Sequence, residues 1–314
     1  MSAVQEGQAV GGAVREHEPR ASSTWTGIGA AGGGRASDGR RGRGPSTLDV
    51  VRGVLLTVGA AVVLIPLVWM LLSWFKTAGE LAARPPQWLP SSFSLTNYAT
   101  ALGSFGFPTY LANSVIVTVA ATVLTLAINS MAAYAFAKYN FRGRDTLFVV
   151  TLATVMIPLQ VILIPLYQVV ASLGMANSLW GLIIPGAATP TGVFLLRQYM
   201  LTIPDELIEA ARIDGASEWR IFWQVVLPLA RPALAVLAIV SVIWRWNDFL
   251  WPLIIAQDES TYTLPLAIAQ FSSELVVPFN LVLAMSVLSV LPVIVMFLFL
   301  QRHIVTGIAQ TGLK

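Results

Sequence analysis

Residues 203–232 read IPDELIEAARIDGASEWRIFWQVVLPLARP and carry much of the charge of the chain's second half. Their local chemistry spells two short helices with a sharp bend between them. Pro204 suits the first helical position, where the N–H that proline lacks has no intrahelical partner anyway. Asp205 and Glu206 complement the positive end of the helix dipole. Gly215 is the natural stop, because helices often end on a left-handed residue that glycine adopts without a Cβ clash. Ser217 then caps a second helix, along which Trp219, Phe222, Val225, Val226 and Leu229 recur at spacings of three and four and make one apolar face. Pro228 and Pro232 punctuate its exit. By spacing alone, this is an amphipathic pair resting at a lipid interface.

The surroundings of the pair decide the class. With 56% hydrophobic and 11% charged residues over 314 positions, the chain is too apolar for a soluble globule and reads as an all-α integral membrane protein. Six apolar runs, at 53–75, 111–137, 147–170, 179–196, 233–255 and 281–300, are candidate transmembrane helices. Each is close to or beyond the ~20 residues that a helix rising ~1.5 Å per residue needs to cross the hydrocarbon core. The fourth is interrupted by Pro185 and Pro190, and irregular backbone at that depth is tolerable only against protein or a watery cavity.

The ordering of the chain follows from these runs. Residues 1–50 are rich in Gly, Ala, Ser and Arg, too poor in large apolar groups to offset the entropy of ordering, and read as a disordered tail. Residues 51–110 hold the first span and its loop, 111–301 the core with spans two to six and the 203–232 pair, and 302–314 a carboxy-terminal tail. The first apolar run starts too far in, and is too long, for a cleaved signal peptide.

Six spans put both termini on one side, and basic residues decide which. With the amino terminus inside, Arg15, Arg20, Arg35, Arg40, Arg41, Arg43 and Arg52 fall inside, as do Lys138, Arg142, Arg144, Arg197, Arg212, Arg220, Arg231, Arg302 and Lys314. Only Lys76 and Arg84 fall outside, with Arg245 in a span. This positive-inside bias places both termini and the 203–232 pair in the cytoplasm. The arginines of the tail serve that orientation and contact with anionic membrane lipid better than nucleic acid, which is not expected as a partner.

Within the opening stretch, Glu209-Ala210-Ala211, Asp214-Gly215-Ala216 and Leu227-Pro228 follow Ile203-Pro204-Asp205-Glu206-Leu207 in an order that resembles the EAA loop of ABC-importer inner-membrane permeases. In that family the loop is a cytoplasmic helix-turn-helix that docks into a cleft on the ATP-hydrolysing subunit. The resemblance therefore assigns ATPase coupling to Glu209, Ala210, Ala211, Asp214, Gly215, Leu227 and Pro228. The first outer loop, with Lys76-Thr77, Pro86-Gln87-Trp88-Leu89-Pro90 and Asn97-Tyr98, is similar to that of the maltose-type, MalG-like carbohydrate branch. The likeness extends to the closing Thr306-Gly307 and Thr311-Gly312-Leu313-Lys314. It implies a type I importer permease in the plasma (inner) membrane, paired with a second permease subunit, two ATPase subunits and an extracytoplasmic sugar-binding protein. The outer loop at 256–279, with Asp258, Glu259 and Glu274, would face that binding protein.

Charge inside a span is the other signal. Arg245, Asn247 and Asp248 lie in the fifth run beside Trp246 and Trp251, and an ionised side chain at the bilayer centre costs at least ~2.5–3.5 kcal/mol on insertion scales. Arg245 and Asp248, three apart, can neutralise each other on one helix face, with the tryptophans as belt residues. Equally, Trp246, Asn247, Asp248 and Trp251 can line a sugar path, since sugars bind through planar hydrogen-bonding groups and stack on aromatic rings; the string Trp246 to Leu253 is similar to that of sugar-importer permeases. Asn113, Asn129, Gln160 and Tyr167 read as helix-to-helix hydrogen bonds, and Pro158, Pro165 and Pro292 as kinks.

The chain has no cysteine, and its two histidines, His17 and His303, lie in opposite tails and do not form a ligand set. None of its three lysines, Lys76, Lys138 and Lys314, follows a glycine, so no phosphate-cradling P-loop exists. No cofactor, metal site or catalytic residue is expected on this chain. ATP and Mg would be bound by the partner ATPase. The rival reading, an ion-coupled secondary transporter of a small polar solute, needs an ionisable relay for which Asp248 is the one acidic candidate within a span. A membrane enzyme or a bare anchor explains neither the loop nor the missing catalytic constellation.

Overall fold

The computed structural model describes residues 47–103, 106–273 and 279–311, and among these the regular elements are helical, with no strand. The tail expected over 1–50 lies outside the described residues up to position 46, as does Glu274; the first helix already begins at Thr47. The helices are α1 (Thr47–Ser73), α2 (Ala78–Ala82), α3 (Thr96–Gly103), α4 (Phe107–Lys138), α5 (Arg144–Ala153), α6 (Leu159–Ser172), α7 (Leu179–Ile183) and α8 (Pro190–Met200). They continue as α9 (Asp205–Ile213), α10 (Glu218–Ile221), α11 (Leu227–Leu229), α12 (Arg231–Trp246), α13 (Leu250–Ile255), α14 (Leu264–Ser273) and α15 (Phe279–Thr311). The chain divides into two compact units, Met1–Leu55 and Leu56–Lys314, and helices α2 to α15 all belong to the second.

Two helices, Val50–Ser73 and Phe107–Lys138, are long and apolar enough to cross a membrane unaided, and the count among the described residues reaches four if each of two bent pairs is one interrupted span. The third apolar run is the first such pair, bent by 106° between α5 with its 3₁₀ turn and α6. Pro158 causes the bend: it pushes Ile157 to φ −85°, ψ 114°, out of the helical region. The fourth run is not one helix but α7, a break at 184–189, and α8, with Pro190 opening α8 as a first-turn residue. The fifth is α12 and α13, parted at 247–249, and α12 in turn bends by 78° from the helical segment before it. The sixth run lies within α15, which carries Pro292 and stays helical beyond position 302 to Thr311.

The centre of the bundle is α4. Its buried face runs through Asn113, Ser114, Thr118, Ala121, Thr122, Thr125, Asn129, Ser130, Ala133 and Ala137, whereas Val115, Ile116, Val119 and Val123 are exposed. Through the middle of the helix the buried face is mostly small and polar and the outer face bulky and apolar, with Phe107, Tyr110 and Tyr134 buried toward its ends; this is the packing logic of a helix in lipid, where close approach and interhelical hydrogen bonds hold the bundle. Helices α8 and α12 lie along this face. Thr122 and Ser241 share a hydroxyl hydrogen bond of 3.0 Å between α4 and α12.

At the end of α4 remote from Lys138, Asn113 Nδ2 donates to the carbonyls of Ser260 (2.8 Å) and Tyr262 (3.0 Å), and Ser114 Oγ accepts from Leu264 N (2.7 Å). Asn177 Oδ1 gathers Gln257 N, Asp258 N and the Thr261 hydroxyl at 2.8–3.0 Å. The segment 256–263 is thus pinned from two sides. In the 76–97 loop the Lys-Thr and Asn-Tyr pairs act as internal tethers. Lys76, 1% exposed, donates to Gln87 O at 2.6 Å, and Asn97 Nδ2 donates to Trp74 O and Lys76 O while its oxygen accepts from Asn280.

Glu80 closes a capping box with Thr77 and accepts Ser91 N at 2.7 Å. Hydrogen bonds, from the Ser91 side chain first and then the Thr77 backbone, hold its carboxyl at about 2 against an ordinary 4.5. A depressed carboxyl contributes fully above its unfolded value and loses that contribution as pH falls through the folded one. The loop clasp is therefore expected to persist below pH 4.5, with a carboxyl-carbon NMR titration of Glu80 centred near 2; a midpoint at 4.5 would refute the clasp.

Candidate functional site

The 203–232 stretch forms the bent pair. Pro204 (φ −58°, ψ 135°) stands at the cap of α9, one position before the first-turn place expected of it, a shift within the ordinary fuzziness of a helix end. Asp214 ends the helix and Gly215 takes φ +78°. Its N–H donates to Arg212 O and Ala216 N donates to Ala211 O, both at 3.0 Å, the paired closure of a left-handed C-terminal cap. Ser217 Oγ then accepts from Arg220 N at 3.3 Å and starts α10.

The apolar face of the second helix departs from the expected one. Ile221, Phe222 and Val226 are buried, whereas Trp219 is 61% exposed and Leu229 lies outside too. The cause is a π-helical turn over Phe222–Val226 between α10 and α11, whose wider winding rotates the later residues away from an α-helical register. The buried trio joins Ile208 of α9 with Tyr134, Ala137, Met200, Ala230 and Leu237 in one cluster.

Polar bonds fasten the pair to the end of α4. Lys138 Nζ donates to Ile203 O and Asp205 Oδ1, each at 2.6 Å. Glu218 accepts from Arg212 Nε (2.7 Å), from the Tyr139 hydroxyl (2.5 Å) and more distantly from that of Tyr134 (3.3 Å). The contacts that tie the pair to α4 were not legible in the sequence, since Lys138 and Asp205 lie 67 positions apart and Tyr139 and Glu218 79. By contrast Glu209, Ala210, Asp214 and Gly215 are exposed, Ala211, Leu227 and Pro228 half-buried, and the Glu209 carboxylate has no partner among the described residues. Beside them Ile213 is 87% exposed. The result is a buttressed knob whose tip, acidic and apolar, is left bare by the described residues of this chain.

The second candidate group is more dispersed. Trp246 packs with Tyr110 and Met285 in one cluster, its indole N–H donating to Ser289 O at 3.2 Å. Trp251 packs with Ala121, Leu182 and Ile255 in another, donating to Gly181 O at 3.0 Å. Asn247 is exposed and returns its amide to Ile243 O of its own helix, and Asp248 accepts Trp251 N at 3.3 Å. Arg245 does not form the ion pair with Asp248 that their spacing allowed; its guanidinium reaches across to Gly186 O instead.

That contact belongs to the broken fourth run. The break frees backbone groups, and two side chains take them up: Arg245 the carbonyl of Gly186, and Asn129 Oδ1 the N–H of Thr189 at 3.1 Å. Asn129 Nδ2 also donates to Thr189 Oγ1 at 2.6 Å. A Cβ on residue 186 would displace the guanidinium from this place, so glycine is what lets Arg245 lie against the break. Of the other polar residues singled out, Tyr167 accepts from Gln257 Nε2 at 3.1 Å and Gln160 is exposed.

The comparisons with known proteins bear on this assembly as a whole. Residues 128–310, from the middle of α4 through α15, match the family model described as binding-protein-dependent transport system inner membrane component. The arabinooligosaccharides transport system permease protein AraQ of Halalkalibacterium halodurans is 35% identical over 83% of this chain and 96% of its own length. The sn-glycerol-3-phosphate transport system permease protein UgpE of Yersinia enterocolitica is 34% identical over 84% and 97%. A solved structure of a bacterial ABC transporter involved in the import of the acidic polysaccharide alginate superposes with a TM-score of 0.74 at 26% identity, over 81% of this chain and 95% of the matched one. With its family match spanning the loop, the broken helices and α15, the chain belongs to the inner-membrane permeases of binding-protein-dependent ABC transport systems.

Proposed function

We propose that the chain is the permease subunit of an ATP-driven, binding-protein-dependent importer of a carbohydrate, and that it couples movement of an ATPase subunit to alternating access. The observation that carries this is the buttressed knob: Glu209 and Ile213 exposed at the tip, the Gly215 bend behind them, and Lys138 and Glu218 fastening the base to α4. In this reading the chain crosses the membrane six times with both termini and the knob in the cytoplasm, and it pairs with a second permease, two ATPase subunits and an extracytoplasmic binding protein. ATP binding closes the ATPase dimer and draws the knobs together; because each knob is tied to α4, the bundle turns outward, and hydrolysis resets it. Such a two-state element is biased from both ends. Relatives named for arabinooligosaccharides and a structure named for alginate support a carbohydrate cargo.

The test is ATP-dependent uptake by the assembled complex in proteoliposomes, over a panel of neutral and uronate-bearing oligosaccharides. Glu209→Ala is expected to insert and assemble its bundle normally, because its carboxylate has no partner among the described residues, and to reduce uptake per ATP hydrolysed by about tenfold, a coupling of ordinary size. Uptake driven by an ion gradient without ATP would overturn the proposal.

A further inference from the structure

The narrow cleft between α4, the break before α8, and α12 has Leu237, Val240 and Trp244 in its walls beside Thr125, Ser241 and Arg245, with no carboxylate among the described residues that line it. We infer that it receives the anionic group of a carbohydrate cargo, with Arg245 as the residue that selects an acidic sugar over a neutral one. This rests on the carbohydrate-importer reading above and names its substrate class.

Three observations converge. First, a guanidinium has five N–H donors and a fixed charge, yet among the described residues Arg245 meets one backbone carbonyl and no carboxylate within ion-pair distance; Asp248, three positions on, is engaged with Trp251 N. Asp248 acts on this cation only through space and leaves most of its donors open, and a charged side chain inside an apolar bundle is a functional group by default. Second, the Thr125 hydroxyl is fully buried beside the cleft and has no hydrogen-bond partner among the described residues, an unsatisfied polar group of the kind that marks a site. Third, Trp244 is 60% exposed at the rim, where an indole face can carry the C–H side of a sugar ring.

Size sets what enters. The free space, about 20 Å³, holds one water-sized group, so a carboxylate oxygen reaches the guanidinium while the ring stays over Trp244. Charge-assisted bonding from arginine to a carboxylate is both stronger and more directional than bonding to a hydroxyl. Depth excludes a lipid headgroup as the source of the anion: Thr125 is about 20 Å along the α4 axis from Lys138 and further from the other end, at ~1.5 Å per residue.

The experiment is uptake by the complete reconstituted importer of uronate oligosaccharides paired with their neutral, methyl-esterified counterparts. The wild-type complex is expected to favour the acidic member, Arg245→Gln to lower the acidic-to-neutral ratio at least about tenfold, and Arg245→Lys to fall between. Loss of bracing at the break would lower uptake of both members alike, whereas loss of charge changes their ratio, and permease content of the membranes normalises each variant. Equal loss of both cargoes, or an unchanged ratio, overturns the inference and leaves Arg245 a brace. Uptake confined to neutral members overturns it while the importer reading stands; uptake of no carbohydrate overturns both.

Discussion

Gly215→Pro is expected to leave the chain in the membrane but to abolish the dependence of ATP hydrolysis on cargo. Residue 215 holds φ +78°, and proline is locked near −65°; its ring also deletes the N–H that donates to Arg212 O at 3.0 Å. The cost is about 3 kcal/mol or more at one bend. It falls first on the bend, because Gly215 is exposed and touches neither α4 nor α12. Gly215→Ala is expected to be much milder. No atom lies within 4 Å of an added Cβ, so only the left-handed backbone opposes it, by about 1–2 kcal/mol. Permease content of the membrane and cargo-stimulated ATPase of the reconstituted complex separate the two effects. A proline variant with wild-type stimulation would remove the bend from the coupling route.

Glu218→Ala is the second large effect, and it detaches the knob without reshaping it. Three donors converge on this carboxylate. The Arg212 pair, with side chains 43% and 46% exposed, contributes at most about 1 kcal/mol, whereas the short Tyr139 hydroxyl bond to a charged acceptor is worth about 1.5–3. Loss of roughly 2 kcal/mol in loop docking is expected. It should show as a thermal shift of a few degrees in detergent and as ATP hydrolysis that no longer follows cargo. Tyr139→Phe alone should reproduce most of it, and the Tyr139→Phe, Glu218→Gln pair should cost less than the sum of its members by more than about 0.5 kcal/mol. Strict additivity would show that the two groups do not act through one another.

Both effects concern a segment whose shape was readable in advance and whose attachment was not. Pro204, Gly215 and Ser217 act through backbone groups within three or four positions of themselves, so a bent helix pair follows from their identities and the structure forms it. The wide turn at Phe222–Val226 was invisible, because an apolar residue at spacing four fits either winding, and only packing against Tyr134 and Leu237 selects between them. The fourth apolar run was flagged by Pro185 and Pro190. That Asn129 and Arg245 would be the groups to satisfy its freed backbone required knowing which helices lie beside it. The same ignorance paired Arg245 with Asp248: their spacing permits contact, but Asp248 caps toward Trp251 and Arg245 reaches a carbonyl 59 positions away.

Composition, periodicity and turn chemistry therefore determined by themselves that this chain is a helical membrane protein with a charged, bent helix pair between Ile203 and Pro232, and the order of residues in that pair pointed to its family. The tertiary structure alone decided that Glu218 draws in Tyr139 and Arg212, that Trp246 and Trp251 belong to separate clusters, and that Arg245 braces a broken helix at the wall of a narrow cleft. Caps, bends and spans arise from neighbours a few residues apart, which the linear order states outright. Charge partners and clefts arise from helices that meet only after the chain has run its course.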